Sequence, residues 1–193
     1  MSEEESTMNK NSKVMTEEIK ELLVFFDRVG VGTKDRFVKV IDENHPNKLL
    51  EGFESVIVFA QGSDSENENM GAFDDYLGAI TAQSDVIEYL DQRGYKSFII
   101  EGTNKDVSLV KMGIEAGVGE ISPVDSLVVK GLGLTASLGA IVTNAPLVAD
   151  DKVKNVCINC MKCLKVCPIR DVPNAKGDLS KCACGKCKNQ CPV

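Results

Sequence analysis

All eight cysteines of this chain lie between Cys157 and Cys191, in two blocks of four. The first block reads Cys157-x-x-Cys160-x-x-Cys163-x-x-x-Cys167-Pro168 and the second Cys182-x-Cys184-x-x-Cys187-x-x-x-Cys191-Pro192. This feature restricts the fold more than any other, because folding of such a segment is coupled to what its thiols hold. The two-residue gaps let three thiolates of one tight loop cap three irons of a cubane cluster, while the fourth cysteine lies beyond their reach. Zinc is a competing reading, but structural zinc sites pair C-x₂₋₄-C steps across a longer loop and have no need of the closing Cys-Pro. Disulfides are another; they suit small secreted chains, whereas this one shows no secretory signal and, at 193 residues, can build a core.

The first block matches the bacterial ferredoxin run letter for letter, so the segment resembles a two-cluster ferredoxin. The resemblance implies that the blocks exchange their fourth ligands. One [4Fe–4S] cluster then takes Cys157, Cys160, Cys163 and Cys191, and the other takes Cys182, Cys184, Cys187 and Cys167. The second block departs from the pattern: Ala183 alone separates Cys182 from Cys184. Cys182 either shares a sharply turned C-x-C step or acts as an isolated ligand. The chemistry expected is one-electron transfer.

Charge is divided unevenly. Residues 152–193 hold nine Lys or Arg and two Asp, a balance of +7; residues 1–151 hold thirteen and 27, a balance of −14. A basic segment is compatible with nucleic acid. The simpler account is that Lys154, Lys162, Lys165, Lys181, Lys186 and Lys188 offset the negative charge of thiolate-bound clusters and raise their reduction potential. No apolar run is long enough to span a membrane. Eight cysteines without a secretory signal suggest a reducing cytoplasm in an organism that tolerates little oxygen.

Three segments are expected: a polar, disordered lead at 1–13, an α/β domain at 14–150 and a cluster module at 151–193. Within the middle segment, 14–28 reads as a helix capped by Thr16 and ended by Gly30, with Ile19, Leu22, Leu23 and Phe26 on one face. Residues 35–43, 73–93 and 106–116 read as further helices. The apolar runs 55–60, 96–100, 126–130 and 138–143 read as strands, and 61–70 as a polar loop. Helices between short buried strands predict an α/β or α+β sandwich.

A glycine-rich stretch joins that domain to the cysteines: Ala116-Gly117-Val118-Gly119, then Gly131-x-Gly133, then Leu138-Gly139-Ala140-Ile141-Val142-Thr143-Asn144-Ala145-Pro146-Leu147. It fails as a nucleotide fingerprint, since neither Gly-x-Gly opens a helix after a strand with a third glycine in place. Followed directly by the first cysteine block, it resembles the corresponding segment of epoxyqueuosine reductases and reductive dehalogenases, over roughly residues 50–193. The resemblance implies a nitroreductase-like α+β core with a ferredoxin-like module, and a cofactor domain that holds cobalamin in the enzymes. It directs attention to Gly117, Gly119 and Gly139 as cofactor-binding positions, with cobalamin or flavin as the cofactor; Lys130, which follows a strand and faces the glycine loop, is read from its position as a further candidate to meet an anionic cofactor.

The chain departs from that family in length and in one catalytic segment. Where epoxyqueuosine reductases carry R-D-Y-H, this chain has Asp74-Asp75-Tyr76-Leu77. Asp75 is the candidate proton donor, or else an acid favoured in the first turn of a helix. His45, the only histidine, sits before Pro46 and reads as solvated rather than catalytic. Methionines, Met161 among them, read as packing, and tyrosines as core aromatics. Two functions remain: an electron-transfer protein that docks onto a redox partner, its acidic body suited to docking, and a small cobalamin- or flavin-dependent reductase. The glycine-rich stretch is compatible with a cofactor pocket or with a homodimer contact.

Overall fold

The computed structural model describes residues 3–38, 45–62, 71–100, 108–167 and 185–193, with side chains from residue 9 in the first helix and from residue 77 in the third. Its elements in chain order are α1 (Glu3–Leu22), β1 (Arg28–Thr33), α2 (Lys34–Phe37), β2 (Ser55–Gln61), α3 (Gly71–Asp91), β3 (Ser97–Ile100), α4 (Leu109–Glu115), β4 (Glu120–Ile121), β5 (Leu127–Val128), β6 (Ser137–Thr143) and α5 (Lys162–Lys165). Four strands form an antiparallel sheet in the order β1-β2-β6-β3, and β4 pairs with β5 in a separate hairpin. The class is α+β. Among the described residues, no helix is long and apolar enough to cross a membrane.

The central pair β2–β6 aligns Ser55 with Thr143 and Phe59 with Gly139. Both faces of the sheet are covered, which is why β2 reads as an unbroken apolar run instead of alternating. Val56, Val58, Ala60, Ala140 and Val142 pack against Met112 and Ala116 of the α4 side. Ile57, Phe59 and Ile141 pack against Ile19 and Leu23 of the α1 side and Val86 and Leu90 of α3. The period of two along each strand thus feeds two separate cores.

Three expectations are corrected here. The first helix starts at Glu3, so residues 9–13, assigned to a disordered lead, are helical, and Ser12 is buried. Thr16 is therefore interior to the helix and does not cap it: its hydroxyl donates to the Ser12 carbonyl at 2.7 Å and accepts from Val148 N at 2.9 Å. The same helix ends at Leu22, and the expected stop at Gly30 lies inside strand β1. Gly30 and Gly32 are there because α4 ends directly over them; a Cβ at either would meet the backbone of Glu115 or Ala116.

The chain leaving β6 is fastened to this body. Ser55 Oγ donates to Ala145 O at 2.9 Å and accepts from Leu147 N at 3.0 Å. Thr143 Oγ1 donates to Lys96 O at 2.9 Å and accepts from Ala145 N at 3.0 Å. Asp150 covers the outer edge of β1: its N–H donates to Val31 O, one carboxylate oxygen accepts from Val31 N at 2.9 Å, and the other pairs with Lys20 at 2.6 Å. The outward N–H and C=O of Val31 on this edge strand are thereby satisfied within the chain.

Candidate metal centre

Directly after this fastened segment the chain enters the first cysteine block. Its entry is held by Glu120 of β4, one carboxylate oxygen of which accepts from Val156 N at 2.9 Å and Cys157 N at 3.1 Å. The loop then turns through three non-glycine residues in the left-handed region, Asn155 (φ 61°), Asn159 (φ 52°) and Met161 (φ 59°). Such residues are costly outside special turns, and here they wrap the loop inward on its thiols. Met161 opens α5, and Cys163 is buried on that short helix.

Cys157, Cys160 and Cys163 line one side of a shallow, open hollow, and Cys191 of the second block lines another. These four carry free thiols. They are the set that the ferredoxin resemblance grouped, three from the first block and the last of the second. The remaining wall is apolar and comes from the β4–β5 hairpin and the turn after it: Pro123, Val128 and Leu134, with Ser122 at the edge. Val124, Val128, Leu134, Val156 and Cys163 make a small third core, so the thiol loop is packed onto the body.

The turn carrying Leu134 explains the pair Gly131-x-Gly133. Both glycines have positive φ, 84° and 57°, and Gly133 lies against Cys191; a Cβ on it would stand 3.1 Å from Cys191 Cβ and 3.0 Å from Val193 O. Glycine is required twice over, for the turn and for the approach. Neither Gly133 nor Glu120 stood out as a site residue in the sequence. Gly133 carried a usable signal in its Gly-x-Gly turn; Glu120 carried none.

Burial pushes the Cys163 thiol pKa up; the Leu164 backbone N–H opposes the rise, and the neighbouring Cys157, Cys191 and Cys160 add to it. Positive charge placed among these thiols would favour their ionised form. Among the described residues, no three His, Cys, Asp or Glu side chains converge as a single-ion site requires. Four soft sulfur donors on a largely apolar hollow are the donor type that metal–sulfur clusters take.

Cys167 is buried just beyond α5, and Cys187 packs at the margin of the third core. Cys182 and Cys184 lie outside the described residues, as does most of the 61–70 loop. Asp75 falls within α3, but its side chain is likewise outside them. The expected cofactor positions are spread over the body, apart from the hollow. Gly117 (φ 77°) ends α4 with the paired bonds Gly117 N to Ile114 O and Val118 N to Gly113 O of a Schellman turn, and Asp151 crosses over it. Gly119 faces Val128 and Gly139 faces the Phe59 ring. Lys130 is exposed, and its carbonyl accepts from Arg28 at 3.5 Å. His45 caps the turn Pro46–Lys48, its Nδ1 accepting from Asn47 N at 3.2 Å. Met161, expected as packing, is 41% exposed at the rim of the hollow, because its left-handed backbone turns it outward.

No family model matches this chain, and no curated protein matches it. Solved structures do. An epoxyqueuosine reductase from Streptococcus thermophilus superposes with a TM-score of 0.68 over 92% of this chain at 15% identity. A catabolic reductive dehalogenase superposes with a TM-score of 0.65 over 90% of this chain at 20% identity. The fold is that of epoxyqueuosine reductases and reductive dehalogenases. The resemblance read from the glycine-rich stretch and the first cysteine block therefore extends to three dimensions. Against both groups the chain is short: it covers 64% of that epoxyqueuosine reductase, 53% of another and 31% of the dehalogenase.

Proposed function

We propose that this chain is an iron–sulfur electron-transfer protein built on the epoxyqueuosine reductase fold, with a body at 14–150 and a two-cluster, ferredoxin-like module at 151–193. The observation that carries this reading is the hollow at which Cys157, Cys160 and Cys163 meet Cys191. In this reading these four hold one [4Fe–4S] cluster, and Cys167, Cys182, Cys184 and Cys187 hold the other. Such a cluster supplies one-electron oxidation and reduction.

The chain's own residues set the conditions. Glu120 fixes the backbone at Cys157 and so orients the start of the thiol loop. Val128, Leu134 and Val156 keep water from one side of the hollow. Lys154, Lys162, Lys165 and Lys188 are exposed around the loop and balance the negative charge gathered there. Gly133 leaves room for Cys191 to close the wall.

Anaerobically purified protein is expected to carry about eight iron and about eight sulfide per chain. Cys191→Ala is expected to lower both by about half, because only one cluster draws on that residue. Full retention in the variant would overturn the assignment. A second reading, a reductase with cobalamin or flavin in the nitroreductase-like body and Asp75 as proton donor, is favoured by the likeness to a structure described in terms of B12-dependent dehalogenation. A shift in the EPR spectrum of added cob(II)alamin would favour that reading, and an unchanged spectrum beside two reduced clusters the first.

A further inference from the structure

We propose that the rim of the cysteine hollow is the docking face for an acidic one-electron carrier protein. This deepens the electron-transfer reading and rests on it. Charge alone suggested docking through the acidic body; the geometry points to the opposite end of the molecule's charge distribution.

Three observations meet at the rim. Ile158 and Met161 line the hollow and are 62% and 41% exposed, with exposed Pro192 beside them. Two of these apolar side chains belong to the loop whose thiols face inward, and the left-handed backbone at Asn159 and Met161 shapes that loop. Neighbouring exposed apolar groups on one rim are a candidate interaction patch.

The second observation is charge. Described residues 152–167 and 185–193 hold six lysines and no Asp or Glu; Lys152 pairs with Glu115 of the body, which leaves five for the face. Lys162 and Lys165 lie on α5, which packs against the turn Lys188–Gln190, so lysines of both blocks are brought together. An apolar centre with a charged margin is the anatomy of a protein interface. Its sign selects an acidic partner and would steer the encounter.

The third is what the face lacks. Residues 151–193 contain no Phe, Tyr or Trp, so no aromatic platform exists for stacking bases. Distance favours the same site: Cys157 and Cys160 are only half-buried, which brings a carrier docked on Ile158 close to the thiols.

The test uses the iron-loaded full chain, with stopped-flow reduction by reduced flavodoxin as the acidic carrier and by deazariboflavin radical as a small neutral reductant. The flavodoxin rate constant is expected to fall at least about tenfold between about 20 and 300 mM salt. The double variant Lys162→Glu/Lys165→Glu is expected to lose at least about tenfold at low salt, and Ile158→Ser to lose several-fold at any salt. Each variant's flavodoxin rate is divided by its deazariboflavin rate and its cluster potential is measured, which separates loss of docking from damage to the metal centre and from the change in potential that replacing the lysines brings. A flavodoxin rate insensitive to salt and to these substitutions would overturn the proposal. So would a tRNA stem-loop that competes with flavodoxin and loses its binding in the lysine variant. A chain that takes up no iron would remove the electron-transfer reading as well, whereas a coloured protein with unsteered kinetics removes only this one.

Discussion

Gly133 shows how much of the candidate centre depends on a single missing methyl group. Its φ of 57° costs an L-residue about 1–2 kcal/mol, and an added Cβ would press on Cys191. Gly133→Ala is therefore expected to lower iron content while leaving far-UV circular dichroism unchanged. Glu120 is the opposite case for sequence reading. Its role rests on two backbone N–H groups far along the chain, Val156 and Cys157, and no local pattern announces such a partnership. That Cys191 lines the same hollow as Cys157, Cys160 and Cys163 was to be expected from the ferredoxin resemblance, which implies that the blocks exchange their fourth ligands.

Tyr89 gives the residue scale a pH dependence. Its hydroxyl donates to Glu18, Arg93 lies 3.5 Å over its ring, and burial followed by the Glu18 bond raises its pKa to about 12. A group whose folded pKa is raised favours the folded state most while it is protonated in both states. Its contribution is whole below the unfolded value of about 10 and disappears as pH rises through 12. Absorbance titration of tyrosinate should show one of the three tyrosines ionising near 12, and Tyr89→Phe should remove that phase.

At the scale of elements, the buried strands were legible because long apolar runs have few other uses: β2, β3 and β6 appear within a residue of where they were read. Strand β1 was not. Arg-Val-Gly-Val-Gly-Thr looks like a helix stop followed by a turn, and only the approach of α4 makes its glycines strand residues. Gly30→Ala should consequently destabilise the protein by about 1–3 kcal/mol, since the obstruction is backbone and cannot rotate away. Thermal unfolding followed at the sheet's circular dichroism signal would measure it. The two-residue β4 escaped reading for a related reason: it exists to pair with β5, whose Val128 lines the hollow.

For the whole molecule, the sheet and the thiol loop differ in what sustains them. The sheet has two apolar cores of its own, whereas the third core is small and includes Cys163. Chelation of iron is expected to speed amide exchange in residues 156–167 and 185–193 and to leave β2 and β6 protected. Uniform loosening would mean that the body also depends on the metal centre.

The closing of the hollow by Cys191 also has a consequence in time. A ribosome extends the chain from the apolar wall through Cys157, Cys160 and Cys163 well before Cys191 emerges to lie against Gly133. During that interval the nascent chain offers three thiols and an open side, a state prone to oxidation and to capture of a stray soft metal ion. In the proposed reading, correct loading thus belongs after Cys191 has left the ribosome and the fourth side is closed.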